Sequence, residues 1–384
     1  MGCSGTRPLR ILNLLGEPFE RGGQESYIIS NYLNMNLEGL VLDVLTPYWV
    51  GNQSYKQLIE EKGGNVFELG LPFNPGHSRK SILEPLTEFF NEHNYDIVHI
   101  HSGSISVFRF GSQAAKKCGA PFVIAHSHSS VETMNIKKRV IRRISAVLMN
   151  KNIDLFCACS IEAGKSKFLP GPSKKIVILK NGIAAERFRF SAEARKEIRD
   201  SLGATEGAFV IGNVGRLAEE KNHEFIIKVF DEVCGSDENC ALWIVGDGPL
   251  RDHLLQKSEE LKSHENIHFL GARDDIPQLL SGMDVFLFPS IWEGLGISLI
   301  EAQASGLPCV VSNNVAEEAD IARPFIKRLS LTEKRRNWAN AVESFKGKRN
   351  PLGTQEIKAA GYDVKDTARR LRELYFEIAD EHME

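Results

Sequence analysis

The segment FLFPSIWEGLGISLIEAQASGLPCVVS, at residues 286–312, decides how the chain folds. Residues 286–288 predict a buried strand, residues 297–304 a helix with an apolar face, and residues 309–311 a second strand. The loop between the first strand and the helix contains glycines, which let a ligand approach the backbone closely. A strand–loop–helix–strand unit of this kind directs free backbone N–H groups and a helix N-terminus at one point. Such a point favours phosphate.

Two carboxylates frame this loop, with Glu293 inside it and Glu301 eight positions later. If both residues were helical, they would differ by roughly 80° in direction and about 12 Å in rise, so they cannot share one proton. The arrangement suits hydroxyl groups at the two ends of an elongated ligand, such as a sugar and a ribose on either side of phosphates. The alternative is a loop charge and a solvated helix charge, because charged residues are mostly exposed. Ile300 and Ala302 flank Glu301, which favours the functional interpretation for that residue.

The stretch EGLGISLIEAQASGLPCVV, residues 293–311, resembles the Glu-x7-Glu signature of the retaining family 4 glycosyltransferases. The resemblance covers roughly residues 9–320 and is closest to the branch found in bacterial exopolysaccharide and capsule gene clusters. It implies the α/β GT-B fold, in which two doubly wound Rossmann-like domains face each other across a cleft. It also implies donor contacts from Glu293, Gly294, Leu295, Gly296, Ile297 and Glu301. The segment 313–318, NNVAEE, stands where many relatives have Gly-Gly-Ile-Pro-Glu, so the choice of donor stays open.

The length of 384 residues is too great for one ordinary core, so we predict two domains, at residues 1–183 and 184–363. The resemblance implies that a last helix, at residues 364–382, returns to the first domain. The net charge of −3 argues against a nucleic-acid partner. Neither an apolar run of about 18 residues nor a signal peptide is visible, so we expect a cytoplasmic protein.

The seven cysteines are scattered and odd in number. Cys157 and Cys159 are separated by one residue, which is not the C-x-x-C spacing of a zinc or redox site. We therefore expect neither a cysteine zinc site nor a disulfide framework. Reduced thiols fit the expected cytoplasmic location.

In the predicted second domain, two cations follow the end of an apolar strand. Gly215, Arg216 and Lys221 come after this strand, which begins at residue 209. Guanidinium and ammonium groups at a strand end suit a diphosphate. In the resembled family, the pattern G-R-x4-K binds the diphosphate of the donor, and these residues match its spacing. Asn222, next in the chain, is equally well explained as the N-cap of a helix.

Two further strand ends of this domain supply candidate donor contacts. Gly246 and Asp247 follow an apolar segment, although an aspartate there is also typical of a turn. A loop that begins at Gly271 and contains Arg273 leads into a predicted helix at Ile276. The resemblance implies that the nucleobase of the donor lies against backbone groups of this loop.

In the predicted first domain, Gly22 and Gly23 end the loop that follows the first strand, at residues 10–15. This loop is not G-x-G-x-x-G, so a nicotinamide dinucleotide site is poorly supported. The resemblance implies that the glycine pair lies against donor and acceptor across the cleft. A flexible turn that caps the following helix is the alternative.

Four histidines stand at the ends of two predicted strands of the first domain: His99, His101, His126 and His128. His99 and His101 are two residues apart and share one face of their strand, and ligands collect at the carboxyl ends of parallel strands. A metal site needs further ligands that the sequence does not identify, so we predict no metal. The resemblance implies that the four histidines lie on the acceptor side and that His126 or His128 meets the transferred sugar. Surface-loop histidines are the alternative.

Residues 137–151 predict a basic amphipathic helix. Its basic residues are Lys137, Lys138, Arg139, Arg142, Arg143 and Lys151, and apolar residues recur between them at helical spacing. Such a helix can lie on an anionic membrane surface. Alternatively, it packs on its own domain and presents a solvated basic face.

Together these motifs predict transfer of a sugar from a nucleoside-diphosphate sugar, with a UDP-sugar favoured, to a hydroxyl of a saccharide or lipid-linked saccharide. Arg216 and Lys221 would neutralise the leaving diphosphate, so neither a metal nor a cofactor is expected. His126, His128 and Glu293 complete the predicted catalytic set. The first domain shows no clear carboxylate nucleophile, and the resemblance implies same-face retention rather than double displacement. A nucleotide-sugar epimerase and a non-catalytic binding subunit are the alternatives.

Overall fold

The computed structural model describes residues 7–20, 22–75, 77–128, 136–169, 171, 174–235 and 239–382, with only the backbone at 136–139 and 141. Contacts within the chain divide it into two compact units. Unit 1 contains residues 1–182 and 364–384, and unit 2 contains residues 183–363. Each unit has its own sheet and its own apolar core.

The strands among the described residues are β1 (Leu9–Leu15), β2 (Leu40–Thr46), β3 (Val66–Glu68), β4 (Ile97–Ser102), β5 (Phe122–Ser127), β6 (Leu155–Ala158), β7 (Ile176–Ile178), β8 (Phe209–Val214), β9 (Cys240–Val245), β10 (Ile267–Gly271), β11 (Val285–Phe288), β12 (Cys309–Ser312) and β13 (Ile326–Leu329). The helices are α1 (Gly23–Asn34), α2 (Gln53–Glu60), α3 (Leu83–Glu92), α4 (Ile105–Lys117), α5 (Ile136–Asn152), α6 (Ile161–Lys167), α7 (Ala192–Ser201), α8 (His223–Cys234), α9 (Arg251–Glu259), α10 (Ile276–Gly282), α11 (Ile297–Ala304), α12 (Arg335–Glu343), α13 (Gly353–Ala359) and α14 (Val364–His382). Short 3-10 turns lie between several of these elements.

The sheet of unit 1 is parallel along its described strands, in the order β3-β2-β1-β4-β5-β6-β7. Apolar side chains on both of its faces are buried, which explains the continuous apolar runs of the central strands. From β1 the chain winds to one side through β2 and β3, and then to the other side from β4 onward. The adjacent carboxyl ends of β1 and β4 therefore form a switch point, where parallel sheets bind ligands.

The sheet of unit 2 is also parallel, in the order β10-β9-β8-β11-β12-β13. Its strand order reverses between β8 and β11, so the carboxyl ends of these two strands form the switch point of this unit. The fold-deciding segment of the sequence supplies β11, α11 and β12 of this sheet. The prediction of two doubly wound α/β domains is confirmed.

The last helix, α14, belongs to unit 1 although it follows unit 2 in the chain. Leu371, Tyr375 and Ile378 on its inner face are buried in the core that β1, β2 and α1 also line. At its start, a Cβ on Gly182 would lie 2.2 Å from the Thr367 hydroxyl oxygen. Only glycine therefore fits where the chain passes α14 before entering unit 2.

Helix α5 covers the predicted basic segment, but three of its apolar side chains point to solvent. Val140, Ile144 and Val147 are 51%, 59% and 71% exposed. Their spacing places them on one face of the helix. The side chains predicted to be basic at residues 137–139 lie outside the described part of the chain.

The cysteine prediction requires a correction. Cys234, at the end of α8, and Cys240, at the start of β9, form a disulfide with Cα atoms 6.1 Å apart. The expectation of reduced thiols is therefore wrong for this pair, because the return from α8 into β9 brings the two sulfurs together. Cys118, Cys157 and Cys309 are free thiols.

Among the helices in the described part of the chain, none is both long enough and apolar enough to cross a membrane.

We predict that Ile378→Ala lowers the free energy of unfolding by about 2–5 kcal/mol, because it leaves a cavity under α14. Denaturant unfolding followed by circular dichroism measures this change. Glu377→Ala, at the exposed neighbouring position, is the matched control and should change stability by less than about 0.5 kcal/mol. Equal effects of the two substitutions would contradict the packing of α14 on unit 1.

Candidate active site

The loops that follow β8 and β11 meet at the switch point of unit 2. Residues 289–296, between β11 and α11, are held by hydrogen bonds from neighbouring segments. The Asn222 side-chain amide donates to the Pro289 carbonyl oxygen over 3.1 Å, and the Ile291 N–H donates to the Glu220 carbonyl oxygen over 2.8 Å. The backbone of the loop is therefore fixed against the segment that contains the predicted diphosphate cations.

Lys221 and Glu293 form an ion pair at this point. Lys221 Nζ contacts Glu293 Oε1, and the Ser290 hydroxyl donates to the same oxygen over 3.3 Å. The side chains of Lys221 and Glu293 are only 16% and 11% exposed. The ammonium also lies 5.2 Å from the ring centroid of Phe288, within cation–π range. Two residues predicted for different parts of the donor are thus in direct contact.

Arg216 is exposed at the end of β8, and its side chain makes no ion pair with any residue in the described ranges. Its backbone is fixed on both sides. The Gly215 N–H donates to the Val245 carbonyl oxygen over 2.9 Å, and the Leu217 N–H donates to the Asp247 carbonyl oxygen over 3.0 Å. A guanidinium held in this way at a strand end is available to an anion from solvent.

Gly246 lies where the turn after β9 touches the turn after β8. Its φ is +133°, and a Cβ there would lie 2.0 Å from the Gly215 carbonyl oxygen, so only glycine fits. The Asp247 carboxylate accepts a hydrogen bond from the Gly248 N–H over 2.8 Å. This contact is typical of a turn residue, and the donor contact of Asp247 stays a prediction.

The loop after β10 contains the predicted nucleobase contacts. The Gly246 N–H donates to the Gly271 carbonyl oxygen over 2.8 Å, which joins this loop to the turn after β9. Arg273 is paired with Asp275 through two hydrogen bonds, of 2.8 and 2.5 Å. Ile276 is the first residue of α10. Gly271 therefore adjoins the glycine turns of the site, whereas the Arg273 side chain is engaged locally.

Helix α11 begins at Ile297, after the turn formed by Gly294, Leu295 and Gly296. Gly296 is the N-cap residue with a φ of +85°, and within the described residues no side chain caps the helix there. The first N–H groups of a helix have no partner inside the helix, so this end can bind an anion. Glu301 lies in the second turn. Burial raises its pKa to about 8, and the charge of Arg187 opposes this shift.

In unit 1, Gly22 is the N-cap residue of α1 and Gly23 is its first residue. The Glu25 carboxylate turns back against them, so that a Cβ on Gly22 would lie 2.4 Å from Glu25 Oε2. Burial raises the pKa of Glu25 to about 7, and the charges of Glu17 and Glu20 add to the shift. The sequence analysis missed Glu25, although an acidic residue in the first helical turn after a glycine pair was a usable signal.

The four predicted histidines come together in unit 1, and we call them the histidine cluster: His99, His101, His126 and His128. Three of them have no exposed surface, whereas His128 is partly exposed. His99 Nδ1 lies 2.8 Å from the Tyr375 hydroxyl, and His101 Nε2 lies 3.1 Å from Asn13 Oδ1. His101 Nδ1 lies 3.0 Å from His128 Nε2. Sequence reasoning missed Asn13 and Tyr375. A polar residue inside an apolar strand was the signal for Asn13, and nothing in the pattern of α14 distinguished Tyr375.

In unit 2, sequence reasoning missed Ser290 and interpreted Asn222 too simply. Asn222 precedes α8 in the left-handed region, with a φ of +59° and a ψ of 42°, and its side chain binds the loop after β11 rather than capping the helix. Ser290 directly follows a buried apolar strand, a position where a polar side chain reaches the switch point.

Comparisons with known proteins show the family of this chain. The family described as "Glycosyl transferases group 1" matches residues 194–352. A Bacillus subtilis (strain 168) protein named "Putative glycosyltransferase EpsF" is 30% identical over 391 residues, which cover 98% of this chain and 97% of that protein. An Escherichia coli protein named "UDP-Gal:alpha-D-GlcNAc-diphosphoundecaprenol alpha-1,3-galactosyltransferase" is 30% identical over 247 residues, which cover 61% of this chain and 62% of that protein.

Among solved structures, Anabaena HepE in complex with UDP and glucose has a TM-score of 0.74 at 19% sequence identity, covering 96% of this chain and 100% of that one. This likeness shows the fold. The similarity to the Bacillus protein runs the length of both chains. The protein therefore belongs to the family 4 glycosyltransferases of the GT-B fold, in the exopolysaccharide branch, and is an enzyme of the hexosyltransferase class.

Proposed function

We propose that the protein transfers a sugar from a nucleoside-diphosphate sugar, with UDP as the favoured nucleotide, to a hydroxyl of a saccharide or lipid-linked saccharide. The observation that carries this proposal is the meeting of Arg216, Lys221 and the loop 289–296 at the carboxyl edge of one parallel sheet. The name of the Escherichia coli relative specifies a UDP-Gal donor and a diphosphoundecaprenol-linked acceptor. That name supports the choice of UDP and of a lipid-linked acceptor.

The proposed chemistry is electrostatic. As the bond between the anomeric carbon and the phosphate oxygen breaks, negative charge grows on the diphosphate. Arg216, Lys221 and the N–H groups at the start of α11 stabilise this charge, so the step requires neither a divalent metal nor a cofactor. The acceptor oxygen bonds to the anomeric carbon on the same face, and its proton passes to the departing phosphate oxygen. The configuration of the sugar is retained.

The ion pair between Lys221 and Glu293 gives this proposal a specific binding step. A diphosphate takes over the Lys221 ammonium, and Glu293 is then released to accept a hydrogen bond from a sugar hydroxyl. Ser290, which already donates to Glu293, holds the carboxylate in place during this exchange. In unit 1, His128 is the candidate to meet the sugar, because it keeps exposed surface while His126 has none.

Glu301 is proposed to hold the ribose. With a pKa near 8, its carboxyl is mostly protonated at neutral pH and can both donate and accept a hydrogen bond. Two neighbouring ribose hydroxyls match this capacity.

Helix α5 supports a contact with an anionic bilayer surface, where a lipid-linked acceptor resides. Val140, Ile144 and Val147 form an exposed apolar stripe, and the exposed Arg143 and Lys151 lie on the same helix. An amphipathic helix with apolar and basic residues of this kind binds at the headgroup boundary. We propose peripheral association of the protein with the inner face of the membrane.

The donor proposal predicts that UDP, or a UDP-sugar, raises the thermal unfolding temperature with or without Mg²⁺. A ligand at 100 times its dissociation constant adds roughly 2.7 kcal/mol of stability. A thermal-shift screen with UDP, GDP, ADP and their sugars measures this.

The variants Arg216→Ala and Lys221→Ala should abolish the thermal shift and lower turnover by about 10²–10³. Lys228→Ala is the matched control, because it removes a cation from an ion pair with Glu224 on α8. This variant should keep both the thermal shift and the turnover of the wild type. A shift that requires Mg²⁺, or near-normal turnover of either site variant, would refute the diphosphate assignment.

The raised pKa of Glu301 predicts a pH dependence of stability that Glu301→Gln removes. Between the ordinary value of 4.5 and the folded value of about 8, the folded state keeps a proton that the unfolded state has released. The contribution of Glu301 to the free energy of unfolding therefore falls as the pH rises through this interval and is constant above it. Urea unfolding of both proteins at several pH values measures the difference. Glu25, whose pKa is also raised, is present in the wild type and in Glu301→Gln, so its contribution to the free energy of unfolding cancels in the comparison. Parallel pH profiles would show that Glu301 is not buried as described.

The membrane proposal predicts that the protein sediments with vesicles containing phosphatidylglycerol but not with vesicles of phosphatidylcholine alone. Removing one cation near an anionic surface costs about 1 kcal/mol, so Arg143→Ala should weaken binding about fivefold. Val147→Glu places a negative charge in the apolar stripe and should abolish binding to the anionic vesicles. Leu352→Glu, at an exposed apolar position in unit 2, is the control and should bind normally. Equal binding by the wild type and Val147→Glu would exclude α5 as the contact.

A further inference from the structure

The histidine cluster lies at the carboxyl ends of β4 and β5 in unit 1. His99 and His101 alternate along β4 and therefore share one face. In the pairing of β4 with β5, His101 lies directly opposite His126, so the two side chains emerge on the same side of the sheet. Sequence reasoning lacked a third ligand for a metal, and the neighbouring strand supplies it.

The spacing of the imidazole nitrogens fits a metal ion. One ring nitrogen from each of His99, His101 and His126 can be chosen so that all three lie within 4.8 Å of one another. His101 Nδ1 and His128 Nε2 are 3.0 Å apart. Two nitrogens bound to one tetrahedral zinc ion at about 2.0–2.1 Å would be about 3.3 Å apart. Binding of one ion therefore requires side-chain rotations that bring nitrogens now up to 4.8 Å apart to about this spacing.

The pattern of hydrogen bonds separates inner from outer nitrogens. His99 Nε2 and both nitrogens of His126 are buried and have no hydrogen-bond partner among the described residues. Buried polar atoms are rarely left in this state. The outer nitrogens do have partners, because His99 Nδ1 meets the Tyr375 hydroxyl and His101 Nε2 meets Asn13 Oδ1. Metal-binding histidines are oriented in this way by a partner on the ring nitrogen that does not bind the metal.

The chemistry of the ligands selects the kind of ion. The three residues that converge are all imidazoles, with no carboxylate in the set, and imidazole suits zinc, copper, nickel and iron rather than magnesium or calcium.

We propose that the histidine cluster binds one divalent late first-row transition-metal ion, of the zinc class, through His99, His101 and His126. His128 lies beside the site, with its Nε2 atom 3.0 Å from His101 Nδ1. Through Tyr375, the site fastens α14 to the centre of the unit 1 sheet. The cations proposed to bind the diphosphate, Arg216 and Lys221, belong to unit 2, so the ion takes no part in the proposed stabilisation of the leaving group.

The test uses the full chain without an affinity tag, dialysed against a chelator and then titrated with Co²⁺. We expect one equivalent to bind, with the visible absorption of tetrahedral cobalt, and Zn²⁺ to displace it and raise the unfolding temperature. His126→Gln should lose the absorption. Asn13→Ala, which removes only the partner of His101, should weaken Co²⁺ binding about 10- to 100-fold.

His268→Gln, which changes a histidine on β10 outside the cluster, is the matched control and should bind Co²⁺ like the wild type. Circular dichroism establishes that each variant is folded, and if His126→Gln is not, the Asn13→Ala titration decides. Failure of the wild type to bind Co²⁺, or the same affinity in wild type and Asn13→Ala, would overturn the proposal. Co²⁺ binding is measured without a nucleotide sugar. A negative result for the metal proposal is therefore distinguishable from a negative result for the donor proposal.

Discussion

Parallel strands end at the same edge of their sheet, and this constraint determines where chemistry can take place in both units. Because both faces of a doubly wound sheet are buried, its strands are mostly apolar, and the groups that can meet a ligand lie towards the carboxyl ends of the strands. Where the winding direction reverses, two neighbouring ends are left uncovered by a connection. In unit 2, the reversal between β8 and β11 brings Lys221 to Glu293. In unit 1, the reversal between β1 and β4 brings Asn13 to His101.

The ion pair between Lys221 and Glu293 shows how a charged site can be stable before a ligand arrives. A buried charge without a partner is strongly destabilising, whereas a pair of opposite charges largely offsets the cost of removing both from water. In the contact between Lys221 and Glu293, each charge therefore offsets part of the cost of burying the other. If an anion takes the place of Glu293 at Lys221, the ammonium keeps a charged partner. The released carboxylate then depends on hydrogen bonds, from Ser290 and from the ligand, to offset its charge.

Local patterns in the sequence predicted much of this arrangement, and the limits of that prediction are physical. The glycines, the apolar helix face and the spacing of cations identified α11, β8 and the loop 289–296, because these depend on neighbours in the chain. Strand order and register depend on distant residues. The sequence could not show that His126 lies opposite His101, that Tyr375 reaches His99, or that Cys234 meets Cys240. The helical spacing of the apolar residues in α5 was likewise unable to show whether they face the core or the solvent.

The position of α14 has a consequence for synthesis of the protein. Unit 1 begins the chain, but the helix that completes its core leaves the ribosome only after the whole of unit 2. At about 5–20 residues per second, translation of unit 2 takes roughly 10 to 40 s. During that interval the nascent first unit lacks Leu371, Tyr375 and Ile378, and the sheet face beneath them is open to water. Unit 2 can therefore finish folding on the ribosome first. Unit 1, although most of it is made earlier, keeps an apolar surface that chaperones can recognise until α14 has been synthesised.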